Sequence, residues 1–523
     1  MLAITAITLI SLASVTCALS LNNVVPRATE TAASSPVNVT TCNGQEYVYQ
    51  QLAGYGYIAS DARDQYGDTI GGIGSSIAFD ASSWKKKGAS YTGTLYALPD
   101  RGWNTQGTLN YQNRIQVIDV TFTPDPNATL GNPSGPNLDL KYSRSILLTD
   151  PKGVPTTGLD ANIRQPYLEF FGLTLPSVNY TGNGYGGAGP GGFRVVLDSE
   201  GLFLGSDGTF WISDEYGPYI YQFNSNGTMI SAIRPPDAFI PLRRGNESFS
   251  ADSPPIYNQN LVPKPEDNPT GRNNNQGFEA LTTNPARTKL YTVIQSALNQ
   301  DGGLAKDGNS NARMLIYDIT TNPPTYEAEY VVPLPHTIPG NTSTKIAAQS
   351  EMHYISDTQF LLLARDKGAG RGQSSTQSIY RDIDIFDISQ ATNVKGNVSD
   401  CYTCQIASKA GVLHKDVKPA QYCRWLDFNV NSQLRRFGVH NGGVQNAGLL
   451  NEKWESIALL PVNPGSNDEE YFLFSLSDND FITQNGYLNF GKYQYKDASG
   501  FNLLNQALVF QVKLPKGAQP LLG

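Results

Sequence analysis

One pattern recurs five times along this chain and limits what it can fold into. An acidic residue leads into an apolar run, a turn reverses the chain, and a second apolar run ends in polar residues. The clearest copy begins Asp198-Ser199-Glu200-Gly201-Leu202-Phe203-Leu204, turns at Gly205–Gly208, and returns as Phe210-Trp211-Ile212-Ser213-Asp214-Glu215. In an antiparallel pair the start of one strand lies beside the end of the next, so Glu200 and Asp214 are expected at one rim. Glu279 precedes a second run that ends at Gln295, Glu351 one that ends at Arg365 and Asp366, and Glu455 one that ends at Asp478 and Asp480. The earliest copy has Ser75 where the others have Glu, and its second run ends at Asp100-Arg101-Gly102.

Each copy is followed by a third apolar run, at residues 114–120, 219–223, 313–319, 382–388 and 507–512. Several of these alternate apolar and polar residues, the period of a half-buried strand. Fourth strands are expected at 137–142, 229–233 and 329–334. Units of four strands repeated in this way predict an all-β fold, a β-propeller of five to six four-stranded blades. The run from Glu46 is expected to complete the last blade, which has only three clear strands of its own. Residues 400–450, with Trp425, leave room for a sixth blade. The 50 glycines and 32 prolines, with 16% charged residues, fit a turn-rich β protein.

The chain divides into an expected signal peptide (1–20), a flexible Ser/Thr/Pro/Ala-rich lead-in (21–45), a single domain (46–516) and a C-terminal tail (517–523). The apolar stretch at the start is short for a membrane span and lacks the usual positive charge of a leader, so an uncleaved anchor is the alternative. Secretion is supported by seven Asn-x-Ser/Thr sequons, at Asn38, Asn127, Asn179, Asn226, Asn246, Asn341 and Asn397. Removal of the leader takes Cys17 and leaves Cys42, Cys401, Cys404 and Cys423. Two disulfides are expected, with Cys42 joined to one of the 401–423 group. No second Cys-x-x-Cys or nearby His pair supports a zinc site. A formal net charge of −8 with no basic patch argues against nucleic acid as a partner. A soluble monomer acting on a small, anionic molecule is expected, with no membrane partner once the leader is gone.

The motifs resemble those of the phytase-like family, whose shared domain is described as an esterase-like activity of phytase. The resemblance rests on Pro99-Asp100-Arg101-Gly102, Asp198-Ser199-Glu200-Gly201, Ser213-Asp214-Glu215-Tyr216-Gly217-Pro218, Gly277-Phe278-Glu279-Ala280-Leu281, Ala364-Arg365-Asp366, Trp454-Glu455-Ser456-Ile457 and Ser477-Asp478-Asn479-Asp480. It covers roughly residues 50 to 515. It implies hydrolysis of a phosphoric or carboxylic ester by acidic groups and not by a nucleophile motif.

Acidic tips gathered at the axis would raise one another's pKa values, and a hard cation would remove that cost. Carboxylate and amide oxygens point to Ca2+, with Mg2+ or Mn2+ as alternatives. The expected ligands are Glu200, Asp214, Glu279, Glu351, Glu455 and Asp478. The same carboxyl groups, with Asp100 in place of Asp478, are the expected catalytic groups, and Arg101 and Arg365 the substrate-binding ones. Forked guanidinium groups suit phosphate oxygens. The plainer alternatives are that the acids lock neighbouring blades and that the arginines are their counter-ions.

Other chemistries find little support. No G-x-S-x-G elbow occurs. Gly182, Gly184 and Gly187 fit G-x-G-x-x-G but lack the following helix that a dinucleotide needs, so a loop over the funnel is expected there. Ser75 is a weak nucleophile candidate. His353 is either an acid–base group or a packed structural residue. Three functions follow in order: a calcium-dependent hydrolase of phosphoric esters, a calcium-dependent esterase or lactonase, and a non-catalytic binding propeller. The last predicts an exposed aromatic patch, for which Trp103, Tyr185 and Tyr216 are the candidates.

Overall fold

The computed structural model describes residues 35–161, 167–305, 309–338, 340, 345–466 and 468–523. The expected signal peptide, the lead-in as far as residue 34, and Asn341 lie outside the described residues. Residues 36–523 form one compact unit.

The chain is mostly β, with three four-stranded antiparallel sheets and one ten-stranded sheet in which two further antiparallel units, here the first and the fifth, are joined by a single parallel bridge, Gly56–Leu138. The first consists of Ser76–Lys87, Ser90–Leu98, Arg114–Phe122 and Leu138–Leu147. The second runs Ser199–Leu204, Phe210–Asp214, Ile220–Phe223 and Met229–Ile233. The third runs Phe278–Thr283, Lys289–Ile294, Asn311–Asp318 and Thr325–Pro333. The fourth runs Ala348–Tyr354, Gln359–Arg365, Arg381–Asp387 and Gln421–Asp427. The fifth begins with Lys453–Trp454 and Ala458–Pro461 against Glu470–Asp478, and continues with Asn505–Lys513.

Asn505–Lys513 pairs on its other side with Gln45–Ile58 from the opposite end of the chain, from Val48–Lys513 to Ile58–Asn505. Gly56 also bridges to Leu138 of the first sheet. Between Phe437 and Lys453 the described residues add no strand. The 400–450 region therefore supplies the outer strand of the fourth sheet and no sheet of its own.

The first strands of the five sheets run side by side. Residues of all five stretches line a void of about 10 Å³, among them Ile77, Leu202, Leu281, Met352 and Ile457. Apolar side chains fill the wedges between neighbouring sheets. Phe79, Leu95 and Ile118 of the first sheet meet Phe472, Phe474 and Val509 of the fifth. Phe203 and Trp211 of the second share a core with Phe278 and Tyr291 of the third. Burial of this kind is the main stabilising term, because no sheet could cover its own faces.

The described end of the expected flexible lead-in is ordered, and so is the C-terminal tail. Asn38–Cys42 is a strand on Gln45–Tyr49, and Cys42 is disulfide-bonded to Cys423 of the fourth sheet. Cys401 is bonded to Cys404. At the other end, the Leu521 amide donates to the Tyr354 carbonyl (3.1 Å) and the Gly523 amide to the Leu459 carbonyl (3.0 Å). Their side of the axis is thereby covered. The expected tail is drawn in because Leu521 meets an apolar opening where it is 6% exposed. The six described sequon asparagines are all exposed. No helix among the described residues is long and apolar enough to cross a membrane.

Candidate metal centre and axial cavity

The ends of the inner strands converge on a cavity of about 120 Å³. It is lined by Asp100, Asp198, Glu200, Glu215, Glu279, Glu455 and Asp480 together with Arg101, Arg365, Lys367 and Lys453. Asn104, Asn275 and Gln295 complete it.

A β-bulge in three of the inner strands aims the acids. The register with the neighbouring strand jumps between Ser199 and Leu202, and between Phe278 and Ala280. Glu200 and Glu279 occupy these bulges. Glu455 lies in the corresponding gap between Lys453–Trp454 and Ala458–Pro461. An extra residue on one strand re-aims its side chain off the regular alternation. Glycines permit the close approach. A Cβ on Gly277 would lie 2.3 Å from the Glu215 carbonyl oxygen, and one on Gly201 would lie 2.4 Å from Leu281 Cβ.

The bulges also move two expected site residues out of the cavity. In the fourth inner strand the jump falls between Gln349 and Glu351, so Ser350 occupies the bulge and Glu351 comes one residue later, facing away. Its Oε2 accepts from Ser76 Oγ (2.6 Å) and its Oε1 from the amides of Met352 (2.8 Å) and Leu281 (3.2 Å). Ser76 Oγ in turn accepts from the Leu202 amide (3.0 Å), so one carboxyl ties four inner strands together. Asp214 pairs with Ser199, and Glu215, one residue on, reaches the cavity in its stead. The Asp214 carboxylate accepts from the amides of Asp198, Tyr216 and Gly217 at 2.8–3.0 Å, with no oxygen left for a metal.

Asp478 lies behind the cavity wall. It, Asp100 and Asp480 bring carboxylate oxygens within 4.8 Å of one another, but the Lys453 ammonium already fills that cluster. It pairs with Asp478 and with Asp480 Oδ1 (2.9 Å), and stands 3.7 Å from Glu455 Oε2. Arg101 is 3.1 Å from Asp198 Oδ2. Arg365 pairs with Glu455 and is 3.9 Å from Glu452. Both arginines thus line the cavity while serving as counter-ions within it.

Asp198, Glu200 and Glu215 form the other cluster, again with carboxylate oxygens within 4.8 Å and all three buried. Here the Arg101 guanidinium pairs with Asp198, and no ion pair reaches Glu200 or Glu215 among the described residues. Glu215 Oε1, Glu279 Oε2, Gln295 Oε1 and Asn275 Oδ1 are buried acceptors without a hydrogen-bond donor. The other Glu279 oxygen accepts from Gln295 Nε2. Burial raises the Asp198 carboxyl to about 7 even though Arg101 pulls it down. Burial, followed by the charges of Glu279, Asp198 and Glu215, pushes Glu200 well above the usual carboxylate range. Burial, then Glu215 and Glu455, does the same to Glu279.

Several buried acids with few donors form a costly arrangement, and a divalent cation would relieve it. The donor set is all oxygen, without His or Cys, which suits calcium, magnesium or manganese and not zinc. The residues present therefore fit a hard cation on Asp198, Glu200, Glu215 and Glu279, with the amide oxygens of Gln295 and Asn275 to hand.

Ser75 donates to the Gly72 carbonyl (3.2 Å) in a buried turn. His353 is buried on the far side of the axis, with Nε2 2.9 Å from the Leu521 carbonyl, and burial lowers its pKa to about 4. It packs, and does not reach the cavity. Trp103, Tyr185 and Tyr216 are 3%, 6% and 0% exposed, so they offer no aromatic patch. Gly182–Gly192 forms the tip of a hairpin between Ser177–Tyr180 and Gly192–Val195.

Glu351 carries a pH prediction. Burial pushes its carboxyl up to about 8 from 4.5, against three donors that hold it down. A raised acid pKa stabilises the fold most below the unfolded value and loses that contribution as pH climbs through the folded one. The melting temperature should therefore fall between pH 4.5 and 8, and Glu351→Gln should flatten that decline. Parallel melting profiles for the two proteins across this range would refute the assignment.

A family model described as "Phytase-like: Esterase-like activity of phytase" matches residues 69–481. A protein of Arthroderma benhamiae described as an "Uncharacterized secreted protein" is 51% identical over 464 residues, 86% of this chain and 90% of that one. Among solved structures, a putative gluconolactonase matches with a TM-score of 0.24 and 9% identity, over 90% of this chain and 94% of that one. The Neurospora crassa Pan2 WD40 domain matches with a TM-score of 0.27 and 10% identity, over 88% and 97%. These scores are too low to carry fold or function across.

Proposed function

The chain belongs to the phytase-like family, and from that premise we propose that it is a secreted hydrolase of phosphoric esters that works with a bound divalent cation, calcium first. The observation that carries this reading is the set of buried, donor-less oxygens at Asp198, Glu215, Glu279, Gln295 and Asn275, all lining one cavity. Secretion rests on the apolar leader, six exposed sequons, two disulfides and a relative described as secreted. The reading of the fold as a five-bladed propeller, closed by Gln45–Ile58, rests on the five inner strands around one void and on the pairing of that strand with Asn505–Lys513.

A bound cation would polarise the ester's oxygen and lower the pKa of an attacking water. The chain's own residues do the rest. Asp198, Glu200, Glu215 and Glu279 would hold the ion. Arg101 and Arg365 keep Asp198 and Glu455 oriented. Asp100 is buried and held well above the usual range, by burial first and then by Asp478. It accepts from the Gly102 amide (3.0 Å) and Asn104 Nδ2 (3.3 Å). A carboxyl raised in this way is the wall's candidate to give a proton to the leaving oxygen.

The family description covers carboxylic esters as well, so an esterase or lactonase on the same centre is the second reading. The burial of Trp103, Tyr185 and Tyr216 weighs against a purely binding role. The deciding experiment assays the secreted protein on a phosphomonoester, a phosphodiester, phytate, an aryl ester and a lactone, with Ca2+ and with a chelator. Turnover of the phosphoric esters that the chelator abolishes and calcium restores is the expected result. Turnover of only the aryl ester or lactone would establish the second reading, and chelator-insensitive turnover would move the chemistry off this cavity.

A further inference from the structure

Seven carboxyl groups and four cationic side chains line the cavity. Three of the cations are committed: Arg101 to Asp198, Arg365 to Glu455, and Lys453 to Asp478 and Asp480. Lys367 is different. Among the described residues of the cavity wall it is the cation with no hydrogen bond and no ion pair, and its surface is open to solvent.

Its backbone is nonetheless held on both sides. The preceding Asp366 turns away, accepting from Ser378 Oγ (2.7 Å) and the Ile379 amide (2.8 Å). The following Gly368 donates its amide to Glu452 Oε1 (2.6 Å). A fixed backbone therefore presents a free ammonium at the mouth of an acidic cavity. Nearby protein and Arg365 lower its pKa, while Glu215 and Glu279 raise it.

Cavity size bears on what that anion is. Clefts for drug-sized ligands are about 300–1,000 Å³, whereas this one is about 120 Å³. It admits a single tetrahedral head group. Its acidic walls oppose a polyanion that would bring several negative charges to one mouth.

We propose that Lys367 receives the anionic group of the substrate, and that the substrate offers this cavity one phosphoryl group on an otherwise external body, not a densely phosphorylated ring. The inference rests on the hydrolase reading for its chemistry but not for its test. Lys367 forms a charge-assisted hydrogen bond to a non-bridging phosphoryl oxygen and leaves the cation to the acidic cluster.

The test compares wild type with Lys367→Met and Lys367→Arg, all calcium-loaded, by calorimetric titration with inorganic phosphate and by steady-state kinetics on a phosphomonoester. A charge-assisted hydrogen bond corresponds to a roughly 10- to 100-fold change in affinity. Lys367→Met should weaken phosphate binding by that factor and raise KM more than it lowers kcat. Lys367→Arg should restore most of the loss, and an unchanged melting temperature should show that the fold is intact. Phytate should compete more weakly than phosphate. Equal phosphate affinity in wild type and Lys367→Met, or phytate binding tighter than phosphate, would overturn the proposal. Lys367-dependent phosphate binding without turnover of any ester would leave the inference standing and remove the hydrolase reading instead.

Discussion

Glu279→Gln is expected to raise the calcium concentration needed for half-maximal activity by at least about a hundredfold, a loss typical of disturbing even the outer partners of a metal ligand. Glu279 Oε2 is a buried acceptor with no donor, while its other oxygen takes the Gln295 amide. Gln has the same shape but a weaker ligand atom. It also removes a charge that burial, Glu215 and Glu455 all oppose. Without metal the variant should therefore melt at or above the wild-type temperature, so that lost activity with retained stability separates a ligand from a structural lock. A lower metal-free melting temperature with unchanged calcium dependence would assign Glu279 to the lock, the role that Glu351 fills below it.

The second large effect concerns closure. Cys42 and Cys423 are 381 residues apart in sequence, and cross-linking so long a loop removes much freedom from the unfolded chain. Loop-entropy reasoning puts the contribution of such a bond at about 6 kcal/mol. The N-terminal arm needs that tether because it serves two sheets at once. Gln45–Ile58 pairs within the fifth, while Asn38 Nδ2 donates to the Trp425 carbonyl (2.6 Å) and Tyr47 OH to Gln359 Oε1 (2.7 Å) of the fourth. The double variant Cys42→Ser/Cys423→Ser should show a markedly lower denaturant midpoint. Cys401 and Cys404 enclose a loop with a sequence separation of 3, so their removal should cost about 2 kcal/mol at most. Equal losses from the two pairs would mean that the arm is held by its strand pairing alone.

The fold was largely legible because it repeats. Glu200, Glu279 and Glu455 each precede an apolar run, and five such units leave few alternatives to sheets set side by side. The last sheet's missing strand and the spare run at Glu46 completed one another for the same reason. Of the residues lining the candidate cavity, Asp100, Arg101, Glu200, Glu279, Arg365 and Glu455 were named from the sequence. A bulge shifts facing by a single position and leaves no mark in composition, so Asp214 stood in for Glu215 and Glu351 was expected at the cavity from which the bulge turns it. Asp198 and Glu215 were visible as parts of acidic tips, but their role was not. Lys367 and Lys453 carried even less signal, since no other copy has a lysine in the matching place. Lys453 does stand two residues before Glu455, the spacing that shares one face of a strand. That spacing was the available clue.

The short stretch that ends in Leu521 and Gly523 turns the axis into a well instead of a pipe. Among the described residues, the space between the inner strands on the side of Ile77, Met352 and Ile457 is a void of about 10 Å³ that Leu521 stoppers. On the proposed hydrolase reading, product would leave by the mouth through which substrate enters. For such an enzyme, departure and not bond breaking would be the natural place for a slow step.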